Sequence, residues 1–211
     1  MRDPSTRAVL LPAAHEIAPI ASNLLYMTMG PLAEYWMGVD DKRRAHEVLS
    51  RMFRTRQNLF SHEFATCAQI SGEVVGIELS YPARLMKNLE FHTLLQFIRA
   101  AGIVTAIRMV VRSFPLRSIN DAAMDEYFLA HLGVLPAFEG RGLGRRLLQR
   151  AEDRALEAGL TKITLTVDVE NARALELYKR AGFAILSTVT LERLRRRFSY
   201  RGYHHMTKSL G

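Results

Sequence analysis

The 211-residue sequence contains a single cysteine, Cys67, and a single tryptophan. One cysteine cannot form an internal disulfide, so the chain suits a reducing compartment, and Cys67 is expected to lie buried on a strand. Cysteine and histidine motifs with zinc-ligand spacing are also missing, and we expect no metal site. The early residues lack the apolar run of a secretory signal, which favours a soluble, cytoplasmic protein.

Long uninterrupted apolar runs are absent as well. The most apolar segment, residues 94–111, is broken by Gln96, Arg99 and Arg108, which predicts no stable insertion into a membrane. No repeat and no Pro/Gly/Ser-rich linker divides the chain. A hydrophobic composition of 48% is enough to bury one substantial core. We therefore expect a single domain over 1–211.

Acidic residues are outnumbered, because 29 Lys and Arg face 21 Asp and Glu and leave a formal net charge of +8. This surplus favours acidic partners such as nucleic acid, a membrane surface or a polyphosphorylated ligand. The densest basic cluster, Arg193–Arg201, is interpreted as a solvated hairpin, with nucleic-acid binding as the alternative. No helix-turn-helix, zinc or RNA-stacking motif accompanies it, so nucleic acid is not the expected partner.

The spacing of apolar residues predicts a mixed α/β layer fold. Glycine and proline mark the breaks between elements, as at Gly30 in the first helical stretch. The predicted order is a strand at 7–11, helices within 13–56, paired strands at 62–70 and 74–81, a helical segment at 82–123, a strand at 126–135, a helix at 142–158, a strand at 162–169, a helix capped by Asn171 that ends at Gly182, and closing strands at 183–191 and 203–210.

A glycine-rich loop precedes the helix at 142–158. Gly140, Gly142 and Gly144 alternate with other residues in the stretch "EGRGLG". The dinucleotide fingerprint would need glycine at Arg145, and the G-K-[ST] of a P-loop is absent. Glycines nevertheless let successive backbone N–H groups point at one anion, and the positive end of the new helix adds to the attraction. Arg141, Arg145 and Arg146 supply further positive charge, so the loop predicts binding of an anionic group.

Two segments in this half of the chain match a family pattern. The loop "VLPAFEGRGLG" resembles the acetyl-CoA pyrophosphate loop of the GNAT superfamily of N-acetyltransferases. Downstream, "VENARALELYKRAGF" (Val169–Phe183) resembles the N-x-x-A-x-x-x-Y-x-x-x-G-F segment of the same family. The resemblance covers about 125–210. It implies a mixed, mostly antiparallel central sheet flanked by helices and splayed at strands 4 and 5, with a helical insertion at about 82–123.

The resemblance implies an N-acetyltransferase that passes the acetyl group of acetyl-CoA to a primary amine by direct attack in a ternary complex. The backbone N–H of Val134 would meet the thioester carbonyl, and Tyr178 would protonate the departing thiolate. Glu139 departs from the family pattern, which has Gln or Arg there, so neighbouring arginines must offset its charge. The residues implied to bind the cofactor are Leu132, Val134, Glu139, Gly140, Arg141, Gly142, Leu143, Gly144, Arg145, Asn171 and Tyr178.

The amine must lose a proton, and three residues are candidates for the base. Glu126, at the start of the strand that leads to Val134, is the first, followed by His131 and then Glu78. The acceptor is a small-molecule or peptide amine. A protein N-terminal or lysine acetyltransferase and a non-catalytic acyl-CoA-binding regulatory module are the alternatives, and the chain is a monomer or a homodimer.

The segment 82–123 is rich in apolar residues and is longer than the family's usual connection. We expect one or two ordered helices that roof the acceptor opening or pack against a partner chain. Membrane attachment through an amphipathic face with Arg99, Arg108 and Arg112 is the alternative.

Overall fold

The computed structural model describes residues 8–37, 39, 41–114, 122–191 and 200–211 of the chain. The basic cluster at 193–201 therefore lies almost entirely outside the described residues. The described residues contain seven strands, which are β1 (Val9–Pro12), β2 (Ala65–Ile70), β3 (Glu73–Pro82), β4 (Tyr127–Val134), β5 (Lys162–Asp168), β6 (Ala184–Thr190) and β7 (Gly202–Ser209). The α-helices are α1 (Ala18–Met29), α2 (Ala33–Met37), α3 (Lys42–Arg54), α4 (Met86–Ala101), α5 (Ile103–Ser113), α6 (Leu143–Glu157) and α7 (Ala172–Arg180).

The strands form one sheet in the order β1-β2-β3-β4-β5-β7-β6. All neighbours are antiparallel except β4 and β5, which run parallel. That parallel pairing covers only Tyr127–Leu129 against Ile163–Leu165, although β4 continues to Val134 and β5 to Asp168. The two strands therefore separate beyond Leu129. The predicted mixed sheet, flanked by helices and splayed between strands 4 and 5, is confirmed.

A β-bulge interrupts β4 just before the two strands separate. His131 pairs with Leu79 of β3, yet the next partner, Ser80, pairs with Leu129, so Ala130 is an extra residue on β4. Side chains alternate between the faces of a regular strand, and one extra residue exchanges the faces of everything beyond it. Ala130 and His131 consequently face the same helical layer.

The helices cover the sheet on two sides. On the first side, α1, α3 and α4 contribute to a core with Phe53, Ile77 and Phe128 at its centre. On the second side, α6 and α7 pack over a core that includes Leu148 and Ile163. Cys67 lies buried in β2, as predicted. Over the described ranges, none of the helices has the length and apolar character needed to cross a bilayer.

The segment after β3 contains two ordered helices, α4 and α5, joined at Gly102 with a φ of +88°. These two helices fall within the segment where the sequence predicts one or two. Arg44 and Arg51 of α3 donate hydrogen bonds to the last carbonyls of α4, at Ala101 and Ala100. Cations at a helix C-terminus satisfy free carbonyls and favour the helix dipole, so α3 fixes the end of α4. The later part of the segment, 115–121, lies outside the described residues.

We expect Gly202→Ala to destabilise the fold by about 3 kcal/mol or more. Gly202 begins β7 with a φ of +145°, and an added Cβ would lie 2.0 Å from the carbonyl oxygen of Val189 on β6. The backbone of the β6–β7 pair would have to separate there. Denaturant unfolding monitored by circular dichroism measures the loss. Gly211→Ala, where a Cβ meets open space, is the control. Equal unfolding midpoints for both variants would contradict the expectation.

Candidate active site

A cleft of about 1150 Å³ opens where β4 and β5 separate. It reaches from the glycine loop at the start of α6, through the gap in the sheet, to the layer formed by α1, α2, α4 and α5. Ten of the residues predicted to hold a cofactor line it, whereas Arg141 does not. The ten are Leu132, Val134, Glu139, Gly140, Gly142, Leu143, Gly144, Arg145, Asn171 and Tyr178.

The glycine loop has the conformation that a backbone anion site requires. Gly140 and Gly142 have φ values of +74° and +78°, in the left-handed region that favours glycine. Arg146 donates its backbone N–H to the carbonyl of Gly142 at 3.1 Å and so closes the first turn of α6. The preceding N–H groups, from Leu143 to Arg145, have no acceptor within a regular helix and are directed out of its N-terminus. This end of the cleft can therefore receive a phosphate group.

The third glycine lies in the first turn of α6 with an ordinary helical backbone. A Cβ on Gly144 would make an ordinary van der Waals contact with the Leu177 side chain of α7, at 3.4 Å, whereas one on Gly140 or Gly142 would meet nothing within 4 Å. Gly144 therefore faces α7, and both Gly144 and Leu177 line the cleft.

The charge of Glu139 is neutralised by a residue that the sequence pattern did not indicate. Its carboxylate forms an ion pair with Arg173 in the first turn of α7. Two of the neighbouring arginines make other contacts. Arg141 lies over the ring of Phe138, and Arg146 donates a hydrogen bond to the carbonyl of Ala8. The ion pair that offsets the charge of Glu139 is therefore made by α7 and not by Arg141 or Arg146. It joins the glycine loop to α7.

The backbone of β4 presents N–H groups to the gap between the strands. Just past the strand, Leu135 donates its N–H to the carbonyl of Val75 on β3 at 2.8 Å. Because successive N–H groups of a strand point to opposite sides, those of Val134 and Leu132 are directed away from β3 and towards the gap. Either could donate to a carbonyl oxygen placed there. The role predicted for Val134 requires such a donor and stays a prediction.

Asn171 and Tyr178 lie on α7 and both line the cleft. The Asn171 side-chain oxygen accepts a hydrogen bond from the N–H of Ala174 at 3.0 Å and caps the helix, as its position predicts. Tyr178 is buried, and its ring contacts Phe183 with centroids 5.8 Å apart. Burial raises the pKa of Tyr178 well above the ordinary value, so the phenol keeps its proton at physiological pH.

His131 faces the cleft from the other side of the sheet. Its Nδ1 lies 2.8 Å from the hydroxyl oxygen of Thr28 on α1, and its ring packs on Phe60. The same hydroxyl donates to the carbonyl of Leu25 at 2.7 Å. A hydroxyl has one proton, so Thr28 must accept from Nδ1–H, which leaves Nε2 of a neutral imidazole as an acceptor. Burial lowers the pKa of His131 to about 4 and keeps it neutral.

The two carboxylates considered as bases do not line the cleft. Glu126 is buried at the opposite end of β4, where it pairs with Lys162 at 2.7 Å and accepts from the N–H of Ala123. Glu78 is fully buried against α6 and accepts from Arg154 at 3.0 Å and from Ser80. Burial raises its pKa above the ordinary range. These placements do not favour either residue as the base and leave His131 in the better position.

The far end of the cleft is an apolar chamber. Glu90 is the carboxylate at its margin, and partial burial raises the pKa of that group. Among the residues that the structure describes, no group of three or more His, Cys, Asp or Glu side chains is placed to hold a metal ion. The chamber walls carry Met27, Trp36, Phe60, Leu94, Met109 and Phe114.

Sequence patterns did not reveal Thr28, Glu90 or Arg173. Thr28 and Glu90 reach the cleft from helices distant in sequence from the two motifs, whereas Arg173 lies inside the second motif at a position that the family pattern leaves open. The helical spacing of Arg173 beside the capping Asn171 was the one local signal, because a residue two positions after an N-cap lies in the exposed first turn.

Comparison with known proteins gives concordant matches. The model of the family described as "Acetyltransferase (GNAT) family" matches residues 34–183. Mycothiol acetyltransferase of Beutenbergia cavernae is 46% identical over 65 residues, which are 31% of this chain and 21% of the relative. The ribosomal protein bS18-alanine N-acetyltransferase of Salmonella typhimurium is 38% identical over 66 residues, 31% of this chain and 45% of the relative. The chain thus matches less than half the length of either relative.

Solved structures agree on the fold over nearly the whole chain. The crystal structure of an N-acetyltransferase from Staphylococcus aureus superposes with a TM-score of 0.70, covering 95% of this chain and 100% of that one. The identity is 19%, so this likeness concerns the fold alone.

Proposed function

Because the chain belongs to the acetyltransferase (GNAT) family, we propose that it transfers the acetyl group of acetyl-CoA to a primary amine. One observation carries the proposal. A single cleft has an anion-binding helix N-terminus at one end, free backbone donors in the middle and a neutral histidine beside an apolar chamber at the other. These are the groups needed to hold a phosphorylated thioester, polarise its carbonyl and accept a proton from an amine.

Different residues of the chain have different roles along the cleft. Acetyl-CoA, when bound, supplies the acetyl group as a thioester. The N–H groups at the start of α6 hold the pyrophosphate, and the N–H of Val134 or Leu132 donates to the thioester oxygen. A preorganised donor of this kind contributes about 10²–10³ in rate. His131 accepts the proton of the attacking amine at Nε2, and Tyr178 donates to the departing thiolate.

His131 contributes mainly through its position. A pKa of about 4 makes the imidazole a weaker base than a free histidine, since the best general bases titrate near the working pH. The same shift keeps the ring in the form that can accept a proton. The hydrogen bond to Thr28 holds it with Nε2 as the remaining acceptor.

The walls of the chamber favour an acceptor whose amine is attached to an apolar body. Methionine and aromatic side chains dominate the lining, and methionine adapts to irregular apolar shapes. Glu90 at the margin can meet a second polar or cationic group. Both a small-molecule amine and the first residues of a peptide fit this description. The alanine N-acetyltransferase relative supports the peptide alternative by its name.

A turnover screen tests the proposal. Purified protein is incubated with acetyl-CoA and pooled aliphatic amines, arylalkylamines and alanine-initiated peptides, and free thiol is followed with time. We expect thiol release that depends on one pool and yields the acetylated amine by mass spectrometry. Tight acetyl-CoA binding without release in any pool would instead indicate a non-catalytic acyl-CoA-binding module.

We expect Gly142→Val to weaken acetyl-CoA binding by about 100-fold, which corresponds to roughly 3 kcal/mol. A β-branched residue is poorly tolerated at a φ of +78°, so the loop must change shape and turn its N–H groups away. Isothermal titration calorimetry measures the affinity. Gly72→Val is the matched control, because Gly72 also has a positive φ (+85°) but lies in the β2–β3 turn. Wild-type affinity in Gly142→Val would exclude the loop as the pyrophosphate site.

A further inference from the structure

Helix α5 is amphipathic with its apolar side turned to solvent. Four apolar residues of α5 and one just beyond its C-terminal end are between 59% and 70% exposed: Ile103, Val104, Ile107, Val111 and Phe114. In helical projection these positions fall within about one third of the circumference, at the spacing of a single face. The side of α5 that packs on the protein carries only Thr105, Ala106 and Met109 as buried residues. The helix therefore presents its more hydrophobic face outward.

The neighbouring helix enlarges this apolar surface. Phe91 and Leu95 of α4 are 59% and 40% exposed and lie one turn apart. Single exposed apolar residues are ordinary, but soluble domains seldom display this many large ones on one helical hairpin unless the surface has a partner. We define the α4–α5 face as Phe91, Leu95, Ile103, Val104, Ile107, Val111 and Phe114.

The charge around the α4–α5 face is positive. Lys87, Arg99 and Arg108 are exposed on the two helices, and Arg112 is half-buried against Tyr35. Helix α5 contains no acidic residue, and Glu90 is the acidic residue of α4. This local excess adds to the net charge of +8 of the whole chain. An apolar strip bordered by basic side chains is complementary to a surface that is apolar in depth and anionic at its boundary.

A second copy of the chain fits this face less well. Two-fold packing of α5 on its own symmetry mate would bring the same arginines of both copies to one border, with no acidic residue on α5 to pair with them. Like charges that face each other across an interface oppose association. An anionic lipid surface satisfies the same apolar strip and is attracted by the same arginines.

We propose that the α4–α5 face docks the protein on an anionic bilayer surface, with the apolar side chains at the acyl boundary and the arginines among the headgroups. The docking is peripheral, in keeping with helices too short and too charged to span the membrane. It does not depend on the acetyl-transfer proposal. Phe114 belongs both to this face and to the chamber wall, so docking would set the open end of the chamber beside the lipid.

Vesicle co-sedimentation of the full chain tests the docking. With equal parts phosphatidylglycerol and phosphatidylcholine, we expect wild type to partition at least about 30-fold better than with phosphatidylcholine alone, because each basic residue near an anionic surface contributes several-fold. Ile107→Ser/Val111→Ser should lower binding to the anionic vesicles by about tenfold through lost apolar burial. Arg99→Glu/Arg108→Glu should lower it by about 30-fold or more.

Matched control variants distinguish the contribution of the α4–α5 face to vesicle binding from a general loss of apolar surface or positive charge. Ile185→Ser/Leu186→Ser removes two exposed apolar residues on β6, and Arg43→Glu/Arg54→Glu makes the same charge change on α3. Both controls should retain most of the wild-type binding. Equal losses in face and control variants, or equal binding to neutral vesicles, would overturn the proposal. A dimer seen by sedimentation velocity and lost in Ile107→Ser/Val111→Ser would assign the face to a second copy instead.

Discussion

Tyr178→Phe is expected to lower turnover by about 10²–10⁴ while leaving acetyl-CoA affinity within a few-fold of wild type. The substitution removes the proton donor and keeps the ring that packs on Phe183. Because burial holds the phenol in its protonated form, the wild-type donor is available throughout the physiological pH range. Free thiol release with a validated acceptor measures turnover, and calorimetry measures affinity.

Tyr127→Phe is the matched control for this variant. Tyr127 is buried in the same core as Tyr178, but its hydroxyl donates to the carbonyl of Ser80 at 3.2 Å and does not line the cleft. Losing that hydrogen bond should cost about 1 kcal/mol of stability and little turnover. If Tyr178→Phe and Tyr127→Phe turn over equally well, Tyr178 is a packing residue and not the acid.

His131→Gln is the second large effect, with an expected decrease in kcat of about 10²–10⁴. The amide can still donate to Thr28 and fill much of the same space, but it cannot accept a proton. In the wild type, a folded-state pKa of about 4, below the ordinary 6.5, keeps the base neutral until the pH falls to that value. The acid limb due to this group should therefore lie near pH 4. It should be absent from the residual activity of His131→Gln.

The same shift has a consequence for stability. The unfolded chain binds a proton at His131 as the pH falls below about 6.5, whereas the folded chain does so only near 4, so acid favours unfolding across that window.

Thr28→Ser, which keeps the hydroxyl that contacts His131, is the control for the loss of turnover expected in His131→Gln. An acid limb that stays at pH 6–7 in both wild type and His131→Gln would assign the titration to another group.

Local patterns were enough to predict the glycine loop and the two helices that follow it, α6 and α7. A positive φ at Gly140 and Gly142, the capping by Asn171 and the helix end near Gly182 depend on residues only a few positions apart. The order of the elements along the chain followed from the spacing of apolar residues, and the separation of strands 4 and 5 followed from the family resemblance. These features could therefore be predicted from residues a few positions apart or from a known family pattern.

The base could not be chosen from sequence, because the choice depends on a bulge. Strict alternation from Phe128 would place His131 on the α6 side of the sheet and leave Glu126 a reasonable candidate. The extra residue Ala130 turns His131 towards α1 instead. Nothing in "FLAHLG" marks that bulge, since alanine fits any strand position. The pairing of Glu139 with Arg173 was hidden in the same way, because it depends on how the fold places the glycine loop beside α7.

The pairing of β4 with β5 is the shortest strand pairing in the sheet. Among the described residues, three registered pairs join β1–β4 to β5–β7, and the core that contains Leu148 of α6 adds side chains from both parts, such as Leu129 of β4 and Ile163 of β5. A molecule bound in the gap would contact β4 on one side and α7 on the other. Ligand binding should therefore hold the two parts of the sheet together, and the folded chain gains RT ln(1 + [L]/Kd) in stability from it.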